Sequence, residues 1–486
     1  MENGSPTINQ HMFRAYDIRG LAGSDLSPEI AELIGRGWGT WLRRRGGSTM
    51  ILGRDLRPSS PGLRDGFVAG ATAAGCSVTD IGYATSPLMY FATIHRETAG
   101  GVNITASHNP VEYNGIKMVA EAALPLSEAE ILEVRDLATK RDFEVGSGHV
   151  REWNPTGPYY DKIASAISLS RPMKVVADTG NGVAGLFVPE MLRRLGSDVT
   201  ELYTEPDSRF PNHLPDPEKE ENMRDLMALV PKVGAEVGLA WDGDGDRLGV
   251  CDERGHRFEA DFINILFARD LLSRHPGATV LLDVKSSINV LEDIRKHGGN
   301  PVLWKTGHSH MKRKMRQDDI MLGGELSGHH FVGEGFYPID DALFAAARLL
   351  EILSRSDRTL SEHFEGLPEL FATPLIQLHC LDDEKFGVVS AMRDALSAKY
   401  PVVDIDGARA DFGDGWALVR ASNTSPALTV RCEARESERL DHIKREMFEL
   451  LSRHPSVDLS EWPVAHVAPE RAGRAGSAAG DVELPR

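Results

Sequence analysis

Three aspartates at alternate positions, Asp242, Asp244 and Asp246, form the pattern in this sequence that most clearly predicts chemistry. Gly243 and Gly245 separate them, and glycine allows the backbone to curl so that the three carboxylates converge on one point. Convergent carboxylates repel one another, and a hard divalent cation offsets that repulsion. The segment therefore predicts a site for Mg²⁺ or Ca²⁺.

Two other interpretations of this segment stay open from the residues alone. In an EF-hand loop Glu253 would take position twelve, but Arg247 occupies the position that requires glycine, and the flanks EVGLAW and RLGVCDE are typical of strands. The other interpretation is a turn between two strands that carries solvated carboxylates. The strict spacing of three aspartates disfavours it.

Ser107 lies in the segment TASHNP, residues 105–110, directly after the apolar run GGVNI. A serine held on a tight loop at the end of a strand can act as a nucleophile or as a phosphoryl carrier. The alternative is an ordinary Ser-x-Asn-Pro turn whose side chains bond to their own backbone. No G-x-S-x-G pattern surrounds Ser107, so a hydrolase triad is poorly supported.

Two segments near the middle of the chain combine glycines with polar side chains. In GGELSGHH, residues 323–330, Glu325 and Ser327 offer acceptors and a donor that suit the hydroxyls of a polyol, although a glycine-rich turn with a capping Glu is an alternative. Upstream, KTGHSH, residues 305–310, offers imidazoles that can serve as acid or base. Both segments are candidates for a sugar site.

A candidate phosphate site lies in RASNTSP, residues 420–426, where one guanidinium accompanies several hydroxyl and amide donors. The alternative is a polar connection between two hairpin strands. The segments FRAYDIRG, residues 13–20, and GRDLRP, residues 53–58, add arginines beside glycines. Surface arginines are common, so neither of these two segments indicates a site by itself.

Composition limits the class of protein. The chain has 486 residues, a formal charge of -18, 41% hydrophobic and 26% charged residues, which is typical of a globular protein. The negative charge disfavours binding to nucleic acid or anionic membranes. The cysteines Cys76, Cys251, Cys380 and Cys432 are far apart, which favours reduced thiols. No signal peptide or membrane-spanning run is visible, so we expect a cytoplasmic protein.

An internal repeat organises the first three quarters of the chain. Apolar strands end at Asp55, Asp178 and Asp283, and each is followed by a loop, an amphipathic helix and Gly-x-x-Val at the start of another strand. This pattern predicts three related α/β domains; one large Rossmann-like domain with six strands is the alternative. We predict α/β domains over 1–153, 154–256 and 257–369, an α+β module with mainly antiparallel strands over 370–466, and a disordered tail over 467–486. Linkers are predicted near 150–158, 254–257 and 365–374.

The four segments TASHNP, DGDGDR, GELSGH and RASNTSP, in this order, resemble the motifs of the α-D-phosphohexomutase superfamily. The resemblance runs from about Phe13 to about Ser452 and is greatest to the bacterial phosphomannomutase/phosphoglucomutase branch. It implies three similar α/β domains with mixed sheets and a smaller C-terminal α+β domain, arranged as a heart around a central cleft. Closure of the fourth domain through the linker near residue 370 is expected. Cys432 departs from the family pattern, in which an aromatic residue such as Phe is expected.

The resemblance also implies roles for individual residues. Ser107 would be the phosphorylated nucleophile, and Asp242, Asp244 and Asp246 would hold Mg²⁺ together with an oxygen of phosphorylated Ser107. Lys117 and His329 are candidates for proton transfer. Further catalytic positions would be Arg19, Arg247 and His308. Substrate contacts are expected from Tyr16, Lys285, Gly307, Glu325, Ser327, Arg420, Ser422, Asn423 and Thr424, with Glu325 and Ser327 on the sugar hydroxyls and the last four on the non-transferring phosphate.

The activity implied by the resemblance is reversible phosphoryl transfer between positions 1 and 6 of mannose and glucose phosphates. It would pass through phosphoserine and a hexose 1,6-bisphosphate, with glucose 1,6-bisphosphate as activator, in a monomer whose partners are small hexose phosphates. Leu326 resembles the Met of the dual-specificity branch, where glucosamine-phosphate mutases carry Gln and many glucose-specific enzymes Glu. The alternatives are a phosphoglucosamine mutase, a metal-dependent phosphatase with a phosphoserine intermediate, and a non-catalytic phosphosugar-binding protein.

Overall fold

Four separate sheets follow one another along the chain. The structure, a computed structural model, describes residues 6–422, 425–463 and 470–471. We call the parts of the chain built on these sheets the first, second, third and fourth units. Because the strands are divided among several sheets, the alternative of one large Rossmann-like sheet is wrong, and the prediction of repeated α/β domains is confirmed.

The first unit contains a mixed six-stranded sheet. Its strands are β1 (Ile18–Leu21), β2 (Thr49–Arg54), β3 (Ser77–Tyr83), β4 (Gly100–Ile104), β5 (Tyr113–Ala120) and β6 (Val150–Glu152), in the order β1-β5-β4-β2-β3-β6. Its helices are α1 (Pro28–Arg44), α2 (Ser60–Ala73), α3 (Ser86–His95) and α4 (Glu128–Lys140). Strand β2 is parallel to β3 and β4, whereas β5 runs antiparallel to β4 and β1. The turn after β4 carries Ser107.

The second unit repeats this arrangement around a five-stranded sheet. Its strands are β7 (Lys174–Asp178), β8 (Asp198–Leu202), β9 (Val237–Trp241), β10 (Leu248–Asp252) and β11 (Arg257–Phe258), in the order β11-β10-β9-β7-β8. Its helices are α5 (Thr156–Ala166), α6 (Val188–Arg194) and α7 (Arg224–Val233). Strand β7 is parallel to β8 and β9, and β10 runs antiparallel to β9. The hairpin β9–β10 carries the three aspartates.

The third unit has a four-stranded sheet. Its strands are β12 (Thr279–Asp283), β13 (Asn300–Trp304), β14 (Leu322–Gly324) and β15 (His330–Val332), in the order β13-β12-β14-β15. Its helices are α8 (Ala260–Arg274), α9 (Ile288–Lys296), α10 (His308–Gln317), α11 (Ala342–Ser354) and α12 (Leu360–His363). The repeat predicted from the sequence is confirmed, because the parallel pair β12–β13 corresponds to β2–β3 and β7–β8.

The fourth unit has an antiparallel sheet, as predicted. Its strands are β16 (Phe371–Ala372), β17 (Ile376–His379), β18 (Val402–Val403), β19 (Ala408–Asp411), β20 (Gly415–Ala421), β21 (Ala427–Ala434) and β22 (Glu470–Arg471), and its helices are α13 (Lys385–Ser397) and α14 (Ser437–Leu451). The short strands β16 and β19 were not predicted. The predicted tail 467–486 lies outside the described residues except for β22, which pairs with β16.

Short 3₁₀ helices complete the described elements, and all three predicted linkers contain residues of strands. The 3₁₀ helices are Gln10–Met12, Glu121–Ala123, Val183–Leu186 and Glu220–Met223. The segment 150–158 supplies strand β6, which pairs with β3, and the beginning of α5. The second sheet extends to Phe258, two residues beyond the boundary expected at 256, because β11 pairs with β10.

The largest hydrophobic core spans the first three units, smaller clusters lie within each of these units, and the fourth unit has its own core. The shared core includes Phe91, Tyr159, Val237 and Phe344, which come from α3, α5, β9 and α11. The fourth unit packs its strands against α13 and α14 in a separate cluster. A small patch, which includes Val284, Trp416 and Leu418, joins the third and fourth units. The fourth unit is therefore attached to the rest by a much smaller apolar contact.

The cysteines and the helices bear on the expected location of the protein. Cys76, Cys251, Cys380 and Cys432 are all buried and free. Cys432 lies within the core of the fourth unit, and burial raises the pKa of its thiol to about 12. Among the described residues no helix is both long and apolar enough to cross a membrane. The cytoplasmic location stays a prediction.

A buried carboxyl between the second and third units gives a testable pH dependence. Asp341 accepts hydrogen bonds from the Tyr159 hydroxyl and from the Phe344 N–H at the start of α11, and burial, with repulsion from Asp340, raises its pKa to about 7. Because the folded protein binds this proton more tightly than the unfolded chain, the free energy of unfolding falls as pH rises from about 4 to about 7.

We therefore expect Asp341→Asn to raise the free energy of unfolding by about 2 kcal/mol at pH 8 and by less at pH 5. Asparagine keeps the acceptor oxygen for the Phe344 N–H and remains a good residue at a helix N-terminus. Urea unfolding at both pH values measures the effect. An equal change at pH 5 and pH 8 would contradict the assignment.

Candidate active site

Residues from all four units line one cavity of about 550 Å³. Most of the predicted site residues line it together: Tyr16, Arg19, Ser107, Lys117, Arg247, Lys285, Gly307, His308, Glu325, Ser327, His329, Arg420 and Ser422. Asn423 and Thr424 lie outside the described residues. A larger groove of about 760 Å³, lined by Arg54, Tyr83 and Trp153 among others, contains none of the predicted residues. The predicted site residues therefore identify the smaller cavity as the candidate active site.

The turn after β4 holds Ser107 in an unusual backbone conformation. Ser107 has φ of 52°, in the left-handed region that serine seldom adopts, and such conformations concentrate at functional sites. Its N–H donates to Thr105 Oγ1 at 3.0 Å, and its hydroxyl donates to Asp242 Oδ2 at 2.8 Å. His108 Nδ1 lies 3.1 Å from the same hydroxyl. The serine of the first unit thus faces the aspartates of the second.

Arg57, which lies in the segment GRDLRP that did not by itself indicate a site, fixes this turn from behind. Its guanidinium is 1% exposed, and its Nε donates to Asp55 Oδ2 at 3.0 Å. Its terminal nitrogens donate to four backbone carbonyl oxygens of the turn, those of Ser107 (2.9 Å), Asn109 (2.6 Å), Pro110 (2.6 Å) and Tyr113 (3.0 Å). Because a buried guanidinium needs this many acceptors, removing it would leave the turn without its main support.

Asp242, Asp244 and Asp246 converge in the loop between β9 and β10, as predicted. All three are fully buried, and their ligand atoms lie within 4.8 Å of one another. Among the described residues, Asp244 Oδ1 has no hydrogen-bond partner, and Asp246 Oδ1 is contacted by His329 Nε2 at 3.3 Å. The loop joins two antiparallel strands rather than two helices, which excludes an EF-hand. Buried carboxylate oxygens at this spacing, one of them without a partner, fit a hard divalent cation.

Gly243 explains how the serine turn can approach these aspartates. A Cβ atom at this position would lie 2.3 Å from the Ser107 carbonyl oxygen, closer than any real contact. A side chain at residue 243 would therefore push the two loops apart. The glycines between the aspartates serve the approach of the first unit as well as the convergence of the carboxylates.

The charges around the aspartates are only partly balanced by the protein. Lys117 Nζ lies 2.7 Å from Asp244 Oδ2 and 2.6 Å from Asp246 Oδ2. Burial opposes the charge on Lys117, but these carboxylates outweigh it and raise the pKa of the lysine well above its usual value. Burial, with repulsion from Asp246 and Asp244, raises the pKa of Asp242. A bound cation would relieve this repulsion.

Two of the three histidines that line the cavity, His308 and His329, have opposite electrostatic surroundings. His329 Nε2 lies 3.3 Å from Asp246 Oδ1, and its Nδ1 lies 3.1 Å from Glu325 Oε2. Burial opposes protonation, but these carboxylates raise the pKa of His329 to about 9. His308 Nδ1 lies 3.2 Å from Asp340 Oδ2. Burial and the nearby Lys312 ammonium lower the pKa of His308. At neutral pH His329 is therefore protonated and His308 neutral.

The cavity is also lined by Glu325 and Ser327, on the loop between β14 and β15, and by Arg420, at the end of β20. Glu325 Oε1 accepts from the Gly307 N–H at 2.5 Å. Arg420 Nε donates to Asp406 Oδ2 at 3.1 Å. Six cationic side chains line the cavity and suit an anionic ligand: Arg14, Arg19, Lys117, Arg247, Lys285 and Arg420.

Leu326, the residue used to infer sugar specificity, is 7% exposed and is not among the residues that line the cavity. Its N–H faces Asp283 Oδ1 at 3.5 Å. Any effect of residue 326 on the sugar would act through the neighbouring Glu325 and Ser327. The resemblance at residue 326 therefore does not identify a residue that contacts the sugar directly.

Comparison with known proteins agrees with this geometry. Models of the phosphoglucomutase/phosphomannomutase alpha/beta/alpha domains I, II and III match residues 10–145, 157–255 and 259–371, and the model of the C-terminal domain matches 375–450. A phosphomannomutase/phosphoglucomutase of Pseudomonas aeruginosa is 43% identical over 441 residues, 90% of this chain and 95% of that protein. A phosphoglucomutase of Neisseria gonorrhoeae is 39% identical over 463 residues, 94% of this chain and 100% of that protein.

Among solved structures, a phosphoglucomutase/phosphomannomutase family protein from Burkholderia thailandensis superposes with a TM-score of 0.86 at 38% identity, covering 92% of this chain and 98% of that chain. The similarity extends across all four units and includes the loops that carry the serine, the aspartates and Arg420. The chain belongs to the phosphoglucomutase/phosphomannomutase family.

Proposed function

We propose that this chain is a phosphohexomutase that moves a phosphoryl group reversibly between positions 1 and 6 of a mannose or glucose phosphate. The observation that carries the proposal is the contact of 2.8 Å between the Ser107 hydroxyl and Asp242, beside a cavity lined by cationic side chains from all four units. This geometry suits a serine that carries a phosphoryl group between two positions of a bound anionic sugar.

In this proposal the phosphoryl group of phosphorylated Ser107 passes to the free hydroxyl of a hexose monophosphate. The bond between phosphorus and Ser107 Oγ breaks, a bond to the sugar oxygen forms, the hydroxyl proton of the sugar goes to a base, and the released Ser107 Oγ takes up a proton. The product is a hexose 1,6-bisphosphate. After the bisphosphate turns over in the cavity, Ser107 Oγ gives up its proton as it takes the other phosphoryl group, and the sugar oxygen that is released regains a proton. Ser107 is thereby phosphorylated again.

Asp242, Asp244 and Asp246 would hold Mg²⁺, with an oxygen of phosphorylated Ser107 as a further ligand. The ion would supply positive charge against the phosphoryl oxygens during transfer. Arg247, directly after the third aspartate, would add a second positive charge. Glucose 1,6-bisphosphate would act as activator, because it can phosphorylate Ser107 before the first turnover.

The histidines suggest how protons move. His308 is neutral at neutral pH and can accept a proton, whereas His329 is protonated and can donate one. Lys117 is held between Asp244 and Asp246 with a raised pKa, so it suits a fixed positive charge better than a base. We therefore assign the base role to His308 and the acid role to His329, and place Lys117 and Arg19 as charges around the transferred group.

The remaining residues would bind the parts of the sugar that do not react. Glu325 and Ser327 would contact its 3- and 4-hydroxyls, and Arg420, Ser422, Asn423 and Thr424 its second phosphate. Tyr16, Lys285 and Gly307 would complete the site. Hydroxyls that occupy similar places in both orientations of the bisphosphate explain how one site can serve two poses. The cavity draws on four units of a single chain, and we expect a monomer.

The direct test is conversion of glucose 1-phosphate to glucose 6-phosphate, started with a trace of glucose 1,6-bisphosphate in the presence of Mg²⁺. Mannose 1-phosphate and glucosamine 1-phosphate are assayed beside it to rank the sugars. Inorganic phosphate is measured in the same samples. Conversion without phosphate release supports the mutase, and phosphate release that equals substrate loss would replace it with a phosphatase.

We expect Arg420→Ala to raise KM for glucose 1-phosphate by about 10- to 100-fold, because a charge-assisted contact to a phosphate is lost. Steady-state kinetics measures the change. Arg393→Ala, which removes a half-exposed arginine of the same unit that bonds to Asp394 and Ser390, is the matched control and leaves KM unchanged. Unchanged kinetics in Arg420→Ala would contradict the role of Arg420.

A further inference from the structure

We propose that Asp406 is a positioning residue that joins Arg420 to the turn of Thr306 and Gly307, which holds the sugar-binding Glu325, so that the phosphate-binding and sugar-binding sides of the cavity keep one fixed separation while the fourth unit is docked on the third. The inference rests on the proposed function of the cavity, because it assigns Arg420 to a phosphate and Glu325 to sugar hydroxyls. No motif in the sequence singled out Asp406.

A single carboxylate oxygen carries this link. Asp406 lies in the fourth unit between β18 and β19. Its Oδ2 accepts from Arg420 Nε at 3.1 Å and from the Thr306 N–H at 3.0 Å. Thr306 belongs to the third unit, between β13 and α10. The side chains of Arg420 and Asp406 are 9% and 16% exposed, so water competes little for these bonds.

The other end of the link leads to the sugar-binding carboxylate. Thr306 and Gly307 are adjacent, and their N–H groups donate to Asp406 Oδ2 and to Glu325 Oε1 respectively. The Thr306 carbonyl oxygen accepts from the Tyr16 hydroxyl of the first unit at 3.1 Å. Two successive peptide N–H groups therefore connect the residue beside Arg420 with Glu325.

Two glycines show that both ends of the link are closely packed. Gly407, with φ of 99°, would place a Cβ atom 2.7 Å from Arg420 Cβ, so the turn that carries Asp406 lies directly against Arg420. Gly307, with φ of 123°, would place a Cβ atom 2.7 Å from the Tyr16 ring. Neither turn can shift far without breaking its contacts, and a displacement of Asp406 would move Arg420 relative to Glu325.

Other contacts attach the fourth unit to the third without Asp406. Arg409 donates to the carbonyl oxygens of Val284 and Ser286 at 2.6 and 2.8 Å. Trp416 and Leu418 pack on Val284. Removing the Asp406 carboxylate should therefore leave the units docked and the protein folded. Its main effect should be that Arg420 is no longer held in position.

The experiment compares Asp406→Ala, Asp406→Asn and, as the matched control, Asp404→Ala, which changes an exposed aspartate two residues away. Calorimetry gives the Kd of glucose 6-phosphate, and steady-state kinetics gives KM and kcat. We expect Asp406→Ala to weaken Kd and raise KM by about 10-fold, with kcat changed by less than about 3-fold. Asp406→Asn should lose less affinity than Asp406→Ala, because an amide oxygen can accept both N–H groups. Asp404→Ala should have the Kd and KM of wild type.

A double-mutant cycle separates positioning from a general structural effect. If Asp406 acts through Arg420, adding Asp406→Ala to Arg420→Ala should weaken Kd by less than about 2-fold. Fully additive losses, or an unchanged Kd in Asp406→Ala, would overturn the inference. A large drop in the unfolding temperature of both Asp406 variants would also overturn it, because the residue would then serve stability.

Hydrogen exchange provides a readout that needs no turnover. The Thr306 amide should exchange faster in ligand-free Asp406→Ala than in wild type, and should be unchanged in Asp404→Ala. If wild type binds glucose 6-phosphate but does not isomerise glucose 1-phosphate, the mutase proposal fails. The Kd values of the double-mutant cycle still test the role of Asp406 in that case. If wild type binds no hexose phosphate, both proposals fail.

Discussion

Ser107→Ala should lower kcat for the conversion of glucose 1-phosphate by at least about 10⁴-fold while Kd for glucose 6-phosphate changes by less than about 3-fold. The substitution removes the oxygen that carries the phosphoryl group. It leaves the groups that bind the sugar and its second phosphate, including Glu325 and Arg420, in place. The fold of the turn should persist, because Arg57 bonds to backbone carbonyl oxygens and not to the serine hydroxyl.

A coupled assay and calorimetry measure the two quantities, and mass spectrometry after incubation with glucose 1,6-bisphosphate reports phosphorylation of residue 107. The control is Ser165→Ala, which changes an exposed serine on α5 and should behave like wild type in all three measurements. Turnover near the wild-type rate in Ser107→Ala would show that another group carries the phosphoryl. Equal loss of ligand binding would show that the substitution had damaged the cavity.

Asp242→Asn should lower kcat on the order of 10³-fold without lowering the stability of the metal-free protein. Asparagine keeps an acceptor for the N–H groups of Asp246 and Arg247, which donate to Asp242 Oδ1 at 3.0 and 3.1 Å. It also removes one of three buried carboxylates that repel one another, as the raised pKa of Asp242 reflects. Activity and stability should therefore respond differently to the same change.

Thermal unfolding with and without Mg²⁺ gives a readout independent of activity. Mg²⁺ should raise the unfolding midpoint of wild type, because a ligand that binds only the folded state stabilises it, and this rise should disappear in Asp242→Asn. The control, Asp252→Asn, alters another fully buried aspartate on β10 whose oxygen accepts from the Arg254 and His256 N–H groups. It should keep its response to Mg²⁺. If Mg²⁺ raised the unfolding midpoint of Asp242→Asn as much as that of wild type, Asp242 would be excluded as a metal ligand.

Chemistry encoded within one short segment was predictable from the sequence. The alternation of Asp242, Asp244 and Asp246 already implies convergence, because the glycines between them allow the loop to curl, and the three carboxylates do converge in the structure. Ser107 at the end of a strand was predicted in the same way. The sequence also contains the three-fold repeat of parallel strand pairs, since each strand ends in a recognisable Asp.

Chemistry that depends on contacts between distant segments was not predictable. Arg57 lies in a segment with no distinctive spacing. Its importance comes from four carbonyl oxygens that lie 50 to 56 residues further along the chain, the first of them that of Ser107. Asp406 acquires its partners only when the fourth unit docks on the third. Strand β19 was missed because it is short and begins directly after Gly407.

The separate core of the fourth unit has a kinetic consequence for such an enzyme. The fourth unit meets the third through a small apolar patch around Trp416 and through the hydrogen bonds of Asp406 and Arg409, so an outward rotation would break these contacts and leave the large shared interior covered. Such a hinge would admit ligand and give a bisphosphate room to invert, at a free-energy cost set by the patch and these hydrogen bonds. The rate of turnover would then depend on how often this hinge opens. Strengthening the patch would slow product release and raise the unfolding temperature.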